Sequence, residues 1–211
     1  MKNNYISKVF QWLFLGLIIT FGLGYYMSTN ESTLLFAYEH YIMFIILELG
    51  CGFGLTFFIN KLSDGLTKIF YILFAGLTGV TFGSIFIIYE MSSIMWVVLA
   101  TAIIFGVFGF IGKSIKKDLT GFGTFLLIAL LSMLVLTFLN MFILKEALDL
   151  TIALVSVVIF AGYITFDINR IVKMSDFNPD EKYAVYGAFQ LYLDIINIII
   201  DLLRIFGNRR D

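Results

Sequence analysis

The sequence contains 211 residues, of which 60% are hydrophobic and only 14% are charged, against about 25% in an ordinary soluble domain. Its mean hydropathy of +0.97 and formal net charge of −1 exclude a soluble globular domain, a disordered chain and a nucleic-acid-binding protein with a basic face. The single cysteine, Cys51, excludes an intramolecular disulfide and a cysteine-rich zinc site. The composition therefore predicts a polytopic helical membrane protein that forms one domain over residues 1–211.

Seven segments are long enough to cross a membrane, for which a helix needs about 20 mostly apolar residues. Six are strongly apolar, and the seventh is less so. In chain order they cover about 9–27, 41–59, 69–89, 94–111, 122–143, 150–172 and 184–206. The first is not expected to be a cleaved signal peptide, because its apolar core is long and no small-residue cleavage site follows it. These segments predict an all-α fold of seven transmembrane helices.

Lysine and arginine residues cluster in alternate connections, which sets the orientation of a membrane protein. Only Lys145 falls in the opposite set of short loops, so the N-terminus is predicted to be cytoplasmic. The clustered residues are Lys2, Lys8, Lys61, Lys68, Lys113, Lys116, Lys117, Arg170, Lys173 and Lys182. Seven spans place Arg209 and Arg210 outside, against the rule, whereas a last segment that re-enters would keep them cytoplasmic. Seven spans are favoured, because the last segment is long enough to cross.

Closely spaced glycines occur in three of the predicted spans. Small residues let helix backbones approach each other where lipid provides no hydrophobic drive for association. The pattern predicts tight helix contacts at these positions: Gly50 and Gly54, Gly79 and Gly83, and Gly106, Gly109 and Gly112.

Four carboxylates lie inside predicted spans: Glu48 in the second, Asp167 in the sixth, and Asp194 and Asp201 in the seventh. Each ionised acid at mid-bilayer costs about 2.5–3.5 kcal/mol. Such side chains face the interior of the bundle, find partners or become protonated. Arg204 is the one basic residue deep within a span, so the acids outnumber their cations and predict a pathway for protons or a mobile cation.

The seventh span carries its polar residues on one stripe. Asp194, Asn197 and Asp201 are three and four positions apart, and Gln190 extends the stripe by one turn. This pattern predicts the wall of an internal cavity or pore. In the sixth span, Arg170 follows Asp167 by three residues, a spacing that allows a local ion pair.

The chemistry of these side chains limits the ion. Carboxylate and amide oxygens suit hard cations such as Ca²⁺, Mg²⁺ and Mn²⁺, or protons. A soft-metal site is not expected, because His40 is the only histidine and Cys51 the only cysteine. Two acids that meet in the interior would titrate as a unit and form a proton-sensitive lock.

Three stretches of the sequence carry a resemblance to a known family. They are GKSIKKDLT at 112–120, YITFDINRI at 163–171, and LYLDIIN at 191–197 running on to LLR at 202–204. On these motifs the chain resembles the Bax inhibitor family, the transmembrane Bax-inhibitor-motif proteins, and looks like a bacterial member. The resemblance covers essentially the whole chain.

This resemblance implies a seven-helix fold with the last helix at its centre, in the bacterial plasma membrane. It also implies a passive, pH-sensitive calcium leak in which Asp167 and Asp194 share a proton, act as the sensor and contact the ion. Glu48 matches a family glutamate in the second helix. The family places an arginine latch at the end of that helix, where this sequence has Asn60 and Lys61, and a lysine lacks the bidentate fork of a guanidinium.

Several functions remain open at this point. The first is the calcium leak channel, with Ca²⁺ as the transported ion and no resident cofactor. The second is a proton-coupled calcium or cation exchanger that uses the same acids. A regulator that binds membrane partners is the third. An intramembrane aspartyl protease is the enzyme alternative, but no glycine-rich catalytic signature accompanies Asp194, so the chain is not expected to be an enzyme. The expected partners are the lipid bilayer, calcium ions and protons, with no nucleic acid, and a monomer is compatible with the sequence.

Overall fold

The computed structural model describes residues 2–177 and 179–210, and for Lys2 and Asn3 only the backbone. This part of the chain forms eight α-helices and no strand. The helices are α1 (Lys2–Thr29), α2 (Glu31–Glu39), α3 (Tyr41–Phe58), α4 (Asp64–Ile88), α5 (Met91–Ser114), α6 (Thr120–Ile143), α7 (Glu146–Met174) and α8 (Glu181–Phe206), with a 3-10 turn at Ser175–Phe177 before α8.

Six of the described helices are long and apolar enough to cross a membrane, namely α1 and α3 to α7. They coincide with the first six predicted spans, and the prediction of an all-α polytopic membrane protein is confirmed. The seventh predicted span forms α8, which is not among those six. The structure therefore has six candidate spans and one further long helix, α8, in place of seven equivalent spans.

The short helix α2 lies between the first two spans and was not predicted. Asn30 caps it, because the Asn30 side-chain oxygen accepts hydrogen bonds from the backbone N–H groups of Ser32 and Thr33. Glu31 stands in its first turn, where a negative charge favours the positive end of the helix dipole. Nine residues cannot cross a bilayer, so windows of membrane-spanning length pass over this element.

The chain divides into two compact units. The first contains α1 to α4 and the start of α8, over residues 2–90, 174–177, 179–192 and 209–210. Its core is partly aromatic: the Phe74 ring of α4 packs edge-on against Phe189 and Tyr192 of α8, with centroids 5.0 and 5.9 Å apart. Gly79 and Gly83 of α4 lie directly against α1, so the predicted close contact occurs at this pair.

The second unit contains α5, α6, α7 and the remainder of α8, over residues 91–173 and 193–208. Helices α6 and α7 share an apolar cluster of Leu126, Met133, Ile152 and Ile159. Helix α5 packs against α7 at Gly112, whose backbone lies against the backbone of Thr165. Gly106 has open space around it, so the predicted glycine ladder of α5 makes its tight contact at one end only.

Burial distinguishes α8 from the other helices. Fourteen of its residues are buried hydrophobic or acidic side chains, from Ala184 near its start to Leu203 near its end. In α3, by contrast, Leu55 is the one buried side chain. A helix that is buried on nearly every side faces protein rather than lipid.

Candidate functional site

Asp167 of α7 and Asp194 of α8 meet inside the second unit. Their carboxyl groups are hydrogen-bonded to each other, and each residue is only 4% exposed. A hydrogen bond between two carboxyl groups requires a proton on one of them. Asp167 Oδ1 and Asp194 Oδ2 are also buried, and they accept no hydrogen bond from the described part of the chain. The pair therefore has unused capacity to bind a proton or a cation.

Two further side chains of α7 surround this pair. Arg170, one turn after Asp167, is exposed and interacts electrostatically with the Asp167 carboxyl group. Tyr163, one turn before Asp167, is close enough to interact electrostatically with both acids. The sequence predicted a local ion pair between Asp167 and Arg170. In the structure the two side chains attract each other electrostatically, with Arg170 on the exposed side of the helix.

Hydrogen bonds to α5 hold this part of α7 in place. The Asn169 side-chain amide donates to the carbonyl groups of Gly112 and Ile115, at 3.1 and 2.5 Å. The Thr165 hydroxyl lies 3.1 Å from the carbonyl oxygen of Phe108. The two Asn169 hydrogen bonds satisfy carbonyl groups at the end of α5 that have no partner within the helix. The Thr165 and Asn169 contacts flank Asp167 on both sides, so α7 presents its carboxyl group from a fixed backbone.

Asp201 lies further along α8, and its surroundings differ from those of the aspartate pair. It is 6% exposed, hydrogen-bonds to Ser156 of α7 and lies 3.7 Å from the Arg204 guanidinium. The same Arg204 nitrogen is 3.7 Å from Asp149, in the first turn of α7. Asp201 therefore has a fixed basic neighbour, and this cluster joins the first turn of α7 to the last turns of α8.

Asn197 stands between the two acids on the predicted polar stripe. Its side-chain amide donates to the backbone carbonyl of Leu193 at 2.7 Å, one turn earlier in the same helix. The three stripe residues thus differ in their partners: Asp194 meets another carboxyl group, Asn197 a backbone carbonyl, and Asp201 an arginine.

Glu48 belongs to a separate polar network in the first unit. The Thr78 hydroxyl donates to Glu48 Oε1 at 2.6 Å, and it also lies next to the Tyr192 hydroxyl. The Tyr192 hydroxyl is 2.5 Å from the hydroxyl of Thr20, which donates to the carbonyl of Ala75. A chain of side-chain hydroxyl groups therefore links Glu48 of α3 to α4, α8 and α1.

The predicted latch residues follow α3 in the same unit. The Asn60 side-chain oxygen accepts a hydrogen bond from the Tyr183 hydroxyl at 3.1 Å, so Asn60 ties this loop to the first turn of α8. Lys61 is exposed, and its ammonium group lies 5.8 Å from the centre of the Phe58 ring. A latching role for Lys61 stays a prediction.

Among the described residues there is no group of three or more His, Cys, Asp or Glu side chains placed to hold an ion. The predicted calcium contact at Asp167 and Asp194 involves two carboxyl groups, fewer ligands than the six to eight oxygens that Ca²⁺ takes in a stable site. Two acids alone suit an ion in transit better than a permanently bound one.

Replacement of Thr78 by valine is expected to destabilise the first unit. The change keeps the shape of the side chain but removes the donor to Glu48 and the link to Tyr192. A buried acceptor that loses its partner costs about 1–3 kcal/mol, so the thermal unfolding temperature in detergent should fall clearly. Thr78→Ser keeps the hydroxyl group and serves as the matched control. Equal unfolding temperatures for the two variants would contradict this role of Thr78.

Comparison with known proteins assigns the chain to a family. The family model described as "Inhibitor of apoptosis-promoting Bax1" matches residues 2–211. The chain belongs to the Bax inhibitor family. Membership confirms the resemblance drawn from the three motifs, two of which contain Asp167 and Asp194.

Bacterial relatives match over nearly their whole length. The inner membrane protein YbhL of Escherichia coli is 35% identical over 217 residues, covering 99% of this chain and 93% of that protein. An uncharacterized protein of Borreliella burgdorferi is 32% identical over 219 residues, covering 100% of this chain and 94% of its own. One from Deinococcus radiodurans is 31% identical over 213 residues, covering 99% and 92%. This Bax inhibitor family member is therefore an integral membrane protein.

Several residues of the candidate site were not found by sequence reasoning. Tyr163, Ser156 and Thr78 all contact or face an acid, yet each is a single hydroxyl group in an apolar helix. Hydroxyl side chains in membrane helices commonly bond to their own backbone, as Thr78 also does at the carbonyl of Phe74. For Tyr163 the sequence did offer a signal, since it lies one helix turn before Asp167 in the same helix. Ser156 and Thr78 meet acids of other helices, so only the packing of the helices reveals their role.

Proposed function

We propose that this protein is a pH-sensitive calcium leak channel of the bacterial plasma membrane, with its N-terminus in the cytoplasm. The observation that carries the proposal is the buried, hydrogen-bonded pair of Asp167 and Asp194. Membership of the Bax inhibitor family and the inner-membrane location of the YbhL relative support the setting. In this role the protein makes and breaks no covalent bond.

The proposed gate is the proton between the two carboxyl groups. With the proton in place, its hydrogen bond joins α7 to α8. When the proton leaves, two negative charges face each other in a buried position, where like charges repel strongly because little water screens them. The repulsion favours a second arrangement of the two helices, and the paired charges attract Ca²⁺ to the path between them.

The surroundings of the pair support its role as a switch rather than a structural ion pair. Asp201 has Arg204 and Ser156 as partners, and Glu48 has Thr78, so these acids are matched within their own units. Asp167 and Asp194 are matched chiefly by each other, with Arg170 at longer range. Two acids that share a proton titrate as a pair, so their interaction changes when that proton leaves. An acid that is paired with a fixed cation does not depend on a shared proton.

Calcium flux into proteoliposomes of the purified chain tests the proposal. With equal pH on both sides, we expect passive Ca²⁺ entry whose rate changes with pH in one step, because the two carboxyl groups titrate as a pair. Asp180→Asn, which removes an exposed acid in the loop before α8, is the control and should leave the step unchanged. Absence of Ca²⁺ entry at every pH would contradict the leak.

A second arm of the same experiment separates the leak from an exchanger. Vesicles are given equal Ca²⁺ on both sides and a proton gradient, with the membrane potential held at zero by potassium and valinomycin. A leak produces no net Ca²⁺ accumulation under these conditions. Accumulation against the Ca²⁺ gradient would assign the protein to proton-coupled exchange instead.

A further inference from the structure

Five basic side chains gather at one end of the second unit. Three lie within five residues at the end of α5 and in the loop to α6, and two lie in the last turns of α7. They are Lys113, Lys116, Lys117, Arg170 and Lys173, referred to below as the basic patch. All are exposed except Lys173, which is partly buried. The salt bridges described in this unit are formed by Arg204. Among the described residues, none of the five basic side chains forms a salt bridge with an acid of the candidate site.

Hydrogen bonds bring the two halves of the basic patch together. Asn169 holds the end of α5 through the carbonyl groups of Gly112 and Ile115. The Lys173 ammonium donates to the carbonyl of Lys117 at 2.6 Å, so it also fixes the loop to the end of α7. The patch is therefore a built surface of two elements rather than a run of lysines on a free loop.

One acid lies within the loop and reduces the charge of the patch. Asp118 accepts hydrogen bonds from the hydroxyl and the backbone N–H of Thr120, at 2.8 and 3.1 Å. These bonds hold the pKa of the Asp118 carboxyl below its usual value, so it stays ionised near neutral pH. Asp118 carries one negative charge, which acts on Lys173, so most of the positive charge of the five basic residues is left uncompensated.

The position of the basic patch identifies its ligand. It lies where α5 ends and α6 begins, at the edge of two apolar candidate spans. The large side chains of Phe110 and Phe125 beside it are 71% and 63% exposed, as expected of lipid-facing positions. Basic residues directly beside a membrane span attract anionic lipids at the depth of the phosphate groups. A soluble anion would gain nothing from the neighbouring apolar surface.

We propose that the basic patch is a binding site for anionic phospholipid headgroups, with the phosphodiester between the α5–α6 loop and the end of α7. The site is formed by exposed cations outside the aspartate pair, although its Arg170 also interacts electrostatically with Asp167. Its ligand is recognised by negative charge and by the acyl chains that fit the adjoining apolar surface.

The test is a titration of the purified full-length chain in neutral detergent. Short-chain phosphatidylglycerol, short-chain phosphatidylcholine and inorganic phosphate are added separately, and the bound molecules are counted by native mass spectrometry. We expect phosphatidylglycerol to bind more tightly than phosphatidylcholine, and phosphate not to compete. The Lys113→Gln/Lys116→Gln/Lys117→Gln variant should lose affinity for phosphatidylglycerol by about fivefold for each lysine removed.

Lys116→Gln and Lys145→Gln form a matched pair of single variants. Both residues are exposed, but Lys145 follows α6 at the opposite end of that helix, so only Lys116→Gln should weaken phosphatidylglycerol binding. Equal binding of the two lipids, or wild-type binding by the triple variant, would overturn the proposal. Effective competition by phosphate would assign the patch to soluble anions and would overturn it as well. Since no flux is measured, a failure here is distinct from a failure of the calcium leak.

Discussion

Either Asp167→Asn or Asp194→Asn is expected to remove the pH step from calcium flux. Each change keeps the size of the side chain but leaves one ionisable group where two shared a proton. Coupling between two sites commonly amounts to about 5- to 150-fold, so the wild-type rate should change by at least the lower figure across the step. In both variants the rate should be nearly flat over the same pH range.

The double variant makes this prediction sharper. Because the two carboxyl groups act as one unit, the first substitution already removes the shared proton, and the second removes no further part of the switch. The flux of Asp167→Asn/Asp194→Asn should therefore equal that of either single variant within about twofold, whereas independent groups would add their effects. Additive losses, or a pH step that survives in one single variant, would contradict a shared proton. Asp180→Asn again serves as the control for a lost surface charge.

Gly112→Ala is expected to cause the largest loss of stability among single small substitutions in the second unit. A Cβ atom at this position would overlap the backbone carbonyl oxygen of Thr165. A backbone group cannot rotate away as a side chain can, so α5 and α7 must separate, at a cost of about 1–3 kcal/mol or more. The same movement pulls Asn169 from the carbonyl of Gly112 and displaces the neighbouring Asp167.

Gly106→Ala is the matched control for this prediction. It lies in the same helix, and nothing in the structure comes within 4 Å of an added Cβ atom there. Thermal unfolding in detergent should show a marked loss for Gly112→Ala and little change for Gly106→Ala. If the two variants unfold at the same temperature, the close contact of α5 with α7 is wrong.

The spans were predictable because length and apolarity alone determine which segments cross a membrane. Six of them fall on α1 and α3 to α7, although α1 begins at Lys2 rather than at about residue 9. Helix α2 was missed, although Asn30 followed by Glu31 is an ordinary signal for the start of a helix. The glycine motifs predicted contacts without separating Gly112, which touches a neighbouring backbone, from Gly106 and Gly50, which do not.

The candidate site was predictable in its residues but less so in their partners. The cost of a buried charge singled out Glu48, Asp167, Asp194 and Asp201. The three aspartates are buried and Glu48 is partly buried. Spacing on α8 placed Asp194 and Asp201 on one stripe, yet Asp194 meets another acid while Asp201 meets Arg204. That difference depends on which level of α7 packs opposite each residue, which the pattern of a single helix does not contain.

Infrared difference spectroscopy of the purified protein tests the shared proton most directly. A protonated carboxyl group has a carbonyl stretch that disappears when the proton leaves, and asparagine has no such band. We predict that wild-type protein loses this band over the same pH interval in which its calcium flux changes, and that Asp194→Asn shows no such loss. A band that is absent from the wild type, unchanged with pH, or lost equally in Asp194→Asn would contradict proton sharing by Asp167 and Asp194.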